Sequence, residues 1–331
     1  MRRDRLGLPV IAEDRSVATI RPSLRSLLGY SHVPRADRLR IPLTAARMRG
    51  AKARPGETFG ALLRRLGASD LAVERFWDVF IRPALNLPAD EADAGAGLFT
   101  VRTSLLGPRS ASDLVLPLKP LGEMHGDAAG RVLEAAGATI RLGERVDSLD
   151  ELDADAVVVA VPHAESARLL GEEPAALADS PIVSVHLWFD RQILPGPLAA
   201  LLDSDAHWIF DRGALTGHPP AAGQYLTVVS SGAPELLEYR GRSLVDHIAG
   251  QLTDRLGPAE LLWSRVSREP YATIALAPGI VRPGAATGRP DTVRAGAWTD
   301  TGWPATMESA VRSGRTAAQH LLSSPRAKIA S

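Results

Sequence analysis

Residues 293–318 combine glycines, tryptophans and small polar side chains at spacings suited to holding a flat ring against the start of a helix. Gly296 and Gly302 admit backbone conformations or close approaches that a Cβ would prevent. Pro304 suits a first helical turn, because its φ angle is fixed and it has no N–H to leave unpaired. The other N–H groups of that turn carry partial positive charge, which stabilises an anion or a ring that gains negative charge. An ordinary amphipathic terminal helix is the alternative interpretation.

A helix and several strands are predicted to position this segment. Small and apolar residues recur at helical spacing after residue 306, which predicts a helix packed closely on a sheet. A valine-rich run at residues 155–162 predicts a buried strand, and a pair of short strands is predicted before it, around Ile140 and Val146. By pattern alone, the buried strand is indistinguishable from any core strand of a parallel sheet.

The tail segment resembles the C-terminal FAD-binding motif of the amine oxidase and phytoene desaturase superfamily. It is more closely similar to the squalene-associated FAD-dependent desaturases, whose representative activity is hydroxysqualene dehydroxylation. Further segments resemble the same branch in the same order: residues 76–78 with 84–88, 111–117, 208–213 and 262–266. The resemblance implies an α/β (α+β) flavoprotein fold of the FAD/NAD(P)-binding type, incomplete at its N-terminus, with a substrate domain of helices and a mixed sheet.

The resemblance also implies which residues contact FAD. The predicted cofactor-binding residues, of which the first offers its backbone to the adenine, are Val146, Gly296, Ala297, Trp298, Gly302, Ala305, Thr306, Met307 and Glu308. One departure is Ala297, since the superfamily usually has an aspartate there that contacts the ribityl chain. Either Thr299 or Asp300 replaces this hydrogen bond, or the cofactor is held more loosely.

For this branch, the implied substrate is a long isoprenoid that loses an allylic hydroxyl, with reduced FAD as the hydride donor. Ionising the C–O bond would be helped by a carboxylic acid that burial keeps protonated. Asp211 and Asp113 are the predicted catalytic acids. Trp208 and Phe210 are predicted to line the substrate tunnel and to stabilise an allylic cation. The alternatives are aspartates that cap local backbone and aromatic residues that only fill the core.

The superfamily's first cofactor element, a strand followed by G-x-G-x-x-G and a helix, has no counterpart in this sequence. Residues 95–100 lack the third glycine and follow an acidic, alanine-rich stretch, so a loop is expected there. We therefore expect the sequence to start late in the family fold, with a separate chain as one source of the missing unit. Without a glycine cradle for the pyrophosphate, these residues alone are expected to hold FAD weakly.

Composition and motifs exclude several other classes of site. With no cysteine, the chain has no disulfide, thiolate metal site or cysteinyl flavin link. The eight histidines show no ligand spacing and no G-x-S-x-G motif is present, so neither a metal site nor a simple hydrolase is expected. Basic and acidic residues balance at 38 each without a nucleic-acid-binding motif, so nucleic acid is not an expected partner. No signal peptide or long apolar run is found, and a cytoplasmic location is expected.

Residues 21–54 depart from this balance, with nine basic residues against the single acid Asp37. Leucines interleave with the arginines, a pattern typical of a basic amphipathic surface that contacts anionic lipid. This pattern predicts peripheral contact with the inner face of the membrane. A solvated helical face in an arginine-rich chain is the alternative.

Hydrophobic spacing predicts an opening hairpin, helices at 58–66, 70–86, 122–136 and 243–256, and strands at 182–189, 207–210 and 224–230. The predicted domains are interleaved: 1–117 (helical part of the substrate domain), 118–165 (FAD segment), 166–290 (mixed sheet of the substrate domain), 291–323 (C-terminal FAD segment) and 324–331 (tail). Three functions remain open at this point. They are the dehydroxylase, a related carotenoid or phytoene desaturase or amine oxidase, and a non-catalytic lipid- or partner-binding remnant.

Overall fold

The computed structural model describes residues 2–323, so the predicted tail lies outside the described residues. The strands are β1 (Arg2–Asp4), β2 (Leu8–Ile11), β3 (Val17–Ile20), β4 (Leu114–Leu116), β5 (Val157–Val159), β6 (Asp179–Phe189), β7 (Leu198–Leu201), β8 (Trp208–Asp211), β9 (Gln224–Ser231), β10 (Leu261–Ile274) and β11 (Thr292–Arg294). The helices are α1 (Leu24–Leu28), α2 (Arg35–Met48), α3 (Phe59–Arg65), α4 (Asp70–Ala72), α5 (Asp78–Leu85), α6 (Ala94–Ser104), α7 (Asp127–Ala135), α8 (His163–Leu170), α9 (Arg212–Thr216), α10 (Ser243–Leu256) and α11 (Met307–Leu322). π-Helical turns join α4 to α5 and precede α7.

Seven strands form a mixed sheet in the order β10-β6-β9-β8-β7-β2-β3. Side chains alternate along a strand, so β6 directs Val183, Val185 and Leu187 to one face, where they pack with the buried side of α10. The predicted hairpin is β2 with β3, and the predicted strands at 182–189, 207–210 and 224–230 are confirmed as β6, β8 and β9.

Helices α2 to α6 cover the opposite face of this sheet. Their core is built around Ile41, Phe59 and Trp77, which are all at most 1% exposed and pack against the inner residues of β2, β3 and β7. This helical layer is the part of the chain in which the basic segment 21–54 lies. One sheet therefore carries a single long helix on one side and a thick helical layer on the other.

The loop predicted at residues 95–100 is wrong, because these residues belong to α6. Asp93 caps this helix by accepting a hydrogen bond from the Ala96 N–H at 2.9 Å. Gly97 lets α6 approach α3 closely, since a Cβ there would lie 2.2 Å from the fully buried Phe59 ring. Gly97 therefore serves helix packing, a role that depends on a contact with α3 and that the spacing of the glycines does not reveal.

A second, smaller sheet joins the two predicted cofactor segments. β5 and β11 run parallel, with Val158 opposite Val293, and α11 packs on β11 through Ala317. The predicted strand at 155–162 and the terminal helix are thereby confirmed. Within residues 2–323, β5 pairs with β11 alone, so one of its edges has no strand partner. The division of the chain into FAD and substrate segments stays a prediction.

The strands predicted around Ile140 and Val146 are wrong, since residues 138–147 form no strand in the described structure. These residues are exposed, and the Leu142 side chain reaches 89% exposure. A strand requires a hydrogen-bonded neighbour, and none of the described strands lies beside this segment. The helix before it, α7, also has no buried residue, and its Val132 is 69% exposed.

Candidate functional site

A cavity of about 450 Å³ lies beside the tail segment, and we call it the tail cavity. It is bounded by the start of α6, by the loop after β10 and by the turn before α11. Its lining includes Asp93, Phe99, Arg282, Asp300 and Trp303. The volume falls in the range of about 300–1,000 Å³ that cofactor and small-molecule sites occupy in proteins.

The start of α11 remains accessible next to this cavity. Thr306 is the N-cap residue and accepts a hydrogen bond from the Ser309 N–H at 3.4 Å. Met307, the first helical residue, is 63% exposed. The helix was predicted to start near Pro304, and the capping threonine two residues after this proline fixes the boundary. Pro304 instead lines the tail cavity with Gly302, which adopts a left-handed conformation (φ +71°).

Gly296 forms the bend that the sequence predicted, and the structure gives the reason. Its φ angle is +153°, and a Cβ at this position would lie 2.3 Å from the Trp298 ring nitrogen. Trp298 is buried and donates from Nε1 to the Val161 carbonyl at 3.0 Å. This indole therefore fastens the tail to the end of β5 and is not part of the tail cavity lining.

Two residues were expected to replace the hydrogen bond that Ala297 lacks. The structure distinguishes them. Thr299 is 2% exposed and donates its hydroxyl to the Gly296 carbonyl at 2.9 Å, so it is committed to the bend. The Asp300 side chain is 64% exposed and borders the tail cavity. Asp300 is therefore the available carboxylate for a ribityl hydroxyl.

Arg282 brings an unpaired donor to the same cavity. Within the described residues, its Nη1 atom is buried without a hydrogen-bond partner, and its nearest charged neighbour is Asp300 at 3.6 Å. Burial lowers the pKa of this guanidinium from its usual value. A buried, unsatisfied donor is costly unless a ligand accepts from it. Arg282, which the sequence analysis missed, therefore fits an electron-rich ring or an anion.

Other predicted cofactor residues take different places. Val146 does not line the tail cavity, and its carbonyl accepts a hydrogen bond from Arg168 at 3.3 Å. Glu308 pairs with Arg312 at 2.8 Å, and the Arg312 guanidinium lies 4.6 Å from the Trp303 ring centre. Ala305 is partly buried, in the turn between Pro304 and Thr306. Of the nine predicted cofactor-binding residues, Gly302 alone lines the tail cavity. Ala305 to Glu308 follow its lining residue Pro304 in the chain, whereas Val146 lies outside the cavity.

A second, more apolar cavity of about 490 Å³ lies over the large sheet, and we call it the sheet cavity. It contains three of the four predicted substrate-site residues: Asp113, Trp208 and Phe210. The Trp208 and Phe210 rings are stacked with their centres 5.9 Å apart. Helix α6 borders both cavities, because Phe99 lines the tail cavity and Thr100 lines the sheet cavity.

Asp211 is directed away from the sheet cavity, as its place after Phe210 on the same strand requires. It caps α9 by accepting from the Ala214 N–H at 2.9 Å, and it also accepts from the Gln224 amide at 2.7 Å. The structure therefore supports a capping role, the alternative left open from sequence. As a catalytic acid, Asp211 has no access to the predicted tunnel.

Asp113 lies at the wall of the sheet cavity with a side chain that is 9% exposed. Its Oδ2 accepts from Arg3 Nε at 2.9 Å, and its Oδ1 lies 3.6 Å from Arg5. Oδ1 is buried and has no hydrogen-bond partner among the described residues. Two arginines therefore lie beside this carboxyl group, whereas the sequence predicted an acid in apolar surroundings.

Behind Trp208, a polar cluster surrounds a smaller cavity of about 160 Å³. Asp78 accepts from Arg82 at 3.1 Å, and Arg82 lies 3.2 Å from His207 Nε2. Burial raises the pKa of Asp78 despite the nearby Arg82. Burial, reinforced by Arg82 and opposed by Asp205, lowers the pKa of His207 to about 4. Only the motif at residues 76–78 pointed to this cluster in the sequence.

The pKa of His207 predicts a pH-dependent stability. An unfolded histidine binds its proton near pH 6.5, whereas the folded protein binds it only near pH 4. Stability is therefore lost as the pH falls through this window, by on the order of 3 kcal/mol. Denaturant midpoints for the native protein and His207→Gln should differ in their change between pH 7 and pH 4.5. Parallel pH profiles would contradict the burial of a neutral imidazole.

Comparison with known proteins decides the family. The sequence model for flavin-containing amine oxidoreductases matches residues 12–322. The chain belongs to the flavin-containing amine oxidoreductase family. FAD is therefore its cofactor, and the α/β flavoprotein fold inferred from sequence is confirmed.

Over the described residues, no helix is both long and apolar enough to cross a bilayer.

Relatives within this family narrow the resemblance. A hydroxysqualene dehydroxylase from Sinorhizobium fredii (strain NBRC 101917 / NGR234) is 30% identical over 265 residues, which are 72% of this chain and 60% of the relative. A second, from Rhodopseudomonas palustris (strain ATCC BAA-98 / CGA009), is 30% identical over 74% of this chain and 61% of its own. The chain thus spans about 60% of the length of these curated relatives. A solved oxidoreductase from Methanosarcina mazei superposes with a TM-score of 0.72 at 16% identity, covering 96% of this chain and 81% of that one.

The tail cavity fits the ring end of FAD. It offers the unpaired Arg282 donor, the Asp300 carboxylate and the accessible helix start at Met307, all beside the turn that carries the family motif. Arg282 and the helix start suit the electron-rich edge of the ring, and Asp300 suits the ribityl chain. A glycine cradle for the pyrophosphate is not present in residues 2–323.

Proposed function

We propose that this flavoenzyme reductively removes the allylic hydroxyl of a long isoprenoid, with hydroxysqualene as substrate and squalene as product. The sheet cavity carries the proposal, because an apolar pocket of about 490 Å³ with two stacked aromatic rings and one carboxylate suits a long hydrocarbon with a single reacting polar group. The 30% identity to two hydroxysqualene dehydroxylases supports the same substrate class.

The chain's own residues have separate tasks in this proposal. Reduced FAD, when bound, would supply a hydride to the carbon that loses its hydroxyl, and the second hydrogen of the reduced flavin would leave as a proton with that hydroxyl as water. Trp208 and Phe210 present ring faces to that carbon as positive charge develops. Asp113, held by Arg3 through Oδ2, has a buried Oδ1 without a hydrogen-bond partner among the described residues, and this oxygen would accept from the substrate hydroxyl and orient it. The apolar walls exclude water that would trap a cation.

We infer that the pyrophosphate of FAD is held by a nucleotide-binding unit from outside residues 2–323, with a separate chain as one source of that unit. The unpaired edge of β5 would accept a parallel strand, and the exposed apolar residues of α7 and of residues 138–147 would be covered by the same unit. Such a unit would supply the glycine-rich helix start for the pyrophosphate that residues 2–323 lack.

Product analysis tests the proposed reaction. The flavin-loaded enzyme, completed with its nucleotide-binding unit, is incubated anaerobically with dithionite and hydroxysqualene, and the extract is analysed by gas chromatography and mass spectrometry. Squalene formed in proportion to enzyme is the expected result. A parallel assay with oxidised flavin in air offers phytoene or an amine instead. Dehydrogenation of either one there, with no squalene from hydroxysqualene in the first assay, would assign the protein to another branch of the family. Absence of turnover with bound FAD and every substrate would indicate a non-catalytic remnant.

A further inference from the structure

A third cavity, of about 270 Å³, lies between α1, α2 and the helical core, and we call it the α1–α2 cavity. It shares Leu6, Phe80 and Leu105 with the sheet cavity, so the two cavities are adjacent and these three apolar side chains lie between them. The walls of the α1–α2 cavity are mainly aliphatic and aromatic, with Trp77 and Leu27 among them. The region between the sheet cavity and helices α1 and α2 is therefore apolar, which suits the passage of a long hydrocarbon.

The outer rim of the α1–α2 cavity carries both basic and apolar side chains. Arg21 and Arg49 line it, and each is exposed. Among the described residues, no acidic side chain forms an ion pair with either arginine. Leu24, also on this rim, is 60% exposed. Leu39 and Leu43 of α2 add exposures of 65% and 47% on the same element.

The charge of this surface has one sign. Asp37, the only acid of residues 21–54, is 4% exposed and pairs with Arg40 at 3.2 Å, so it does not offset the rim arginines. Exposed leucines beside unpaired arginines match a bilayer, in which anionic phosphates lie immediately above hydrocarbon. Aromatic side chains that would stack on bases are absent from residues 21–54 apart from Tyr30, which is 1% exposed.

We propose that the rim formed by α1 and α2 docks on an anionic lipid bilayer and that the substrate enters from the bilayer through the α1–α2 cavity. Arg21 and Arg49 bind lipid phosphates, and Leu24, Leu39 and Leu43 lie among the upper acyl carbons. Docking itself follows from the rim alone. The passage of an isoprenoid through the opening rests on the proposed function.

Vesicle co-sedimentation tests docking without any catalytic readout. The protein is mixed with vesicles of phosphatidylcholine alone, or with 30% phosphatidylglycerol added, with and without competing inorganic phosphate. Binding to the anionic vesicles only, unaffected by millimolar phosphate, is expected. Each basic residue near an anionic surface contributes about a fivefold factor in affinity, so Arg21→Gln with Arg49→Gln should weaken binding roughly 25-fold. Leu24→Gln with Leu39→Gln should weaken binding to the same vesicles by about tenfold or more.

Matched controls come from the other side of the large sheet and from its edge. Arg191→Gln with Arg242→Gln removes two positive charges, as the rim variant does. Both of these arginines are exposed but paired with neighbouring aspartates. Leu262→Gln removes a leucine of similar exposure, 58%. Both controls should bind as the native protein does. Equal losses in the rim and control variants, binding displaced by inorganic phosphate, or no vesicle binding at all would each overturn the docking proposal.

Substrate entry has its own readout. In the completed enzyme, the rim variants should raise the apparent KM for hydroxysqualene presented in anionic vesicles and leave the KM for substrate in detergent micelles unchanged. A loss of kcat with both forms of substrate would instead locate the effect in the reaction. Intact vesicle binding with no activity on hydroxysqualene would refute the proposed function and leave the docking surface standing.

Discussion

Replacing Asp113 by asparagine is expected to lower kcat for hydroxysqualene about 100-fold, because the variant removes the one carboxylate at the wall of the sheet cavity. The fold should tolerate the change. Arg3 keeps its hydrogen bond to the Ser110 carbonyl, and the side chains of Arg3 and Arg5 are 58% and 70% exposed and can be solvated by water. Steady-state kinetics of the flavin-loaded, completed enzyme, with the thermal midpoint measured alongside, checks both statements.

Asp211→Asn is the matched control for this experiment. Asn is itself a good N-cap, so the bond to the Ala214 N–H survives. The amide cannot also accept from Gln224 with a second oxygen, and a loss of about 1–2 kcal/mol in stability is expected with little change in kcat. If Asp113→Asn retained full activity while Asp211→Asn lost it, the assignment from the cavity would be wrong.

Gly296→Ala is expected to lower the stability of the tail by about 2–4 kcal/mol and to reduce flavin retention in the completed enzyme. The added Cβ would lie 2.3 Å from the Trp298 ring nitrogen, so the indole must move and its hydrogen bond to the Val161 carbonyl must break. The tail turn would then separate from β5. Thermal melting and the flavin-to-protein absorbance ratio after desalting measure the two effects.

Gly314→Ala in α11 provides the comparison within the same segment. A Cβ at Gly314 meets no atom within 4 Å, and alanine favours the helix by about 0.5–1 kcal/mol. This variant should therefore be as stable as the native protein or slightly more so, with unchanged flavin content. A Gly296→Ala protein that melts and binds flavin like Gly314→Ala would show that the bend does not hold the cofactor turn.

Local patterns predicted most of the secondary structure. Both ends of the helix at 243–256 were predicted correctly, because its apolar spacing and the glycine that follows it, Gly257, are features of the local sequence. The secondary-structure predictions were wrong where the conformation depends on a contact with a residue or strand distant in sequence. Ile140 and Val146 have strand-like surroundings but no strand to pair with, and residues 95–100 are helical because Asp93 caps them and Gly97 accommodates Phe59.

The sequence by itself determined the family, the cofactor and the positions of its tail turn, because the order of short motifs and the glycines of a tight bend are properties of adjacent residues. The tertiary structure decided which aspartate reaches the sheet cavity. Asp211 and Phe210 are neighbours in sequence, yet they lie on opposite faces of β8, while Asp113 comes from a segment about 100 residues away. The tertiary structure also brought Arg282 to the tail cavity and opened the α1–α2 cavity beside the basic segment. A sequence pattern involves residues that are close along the chain, whereas a cavity is formed by residues that are distant in sequence and become neighbours only in the folded protein.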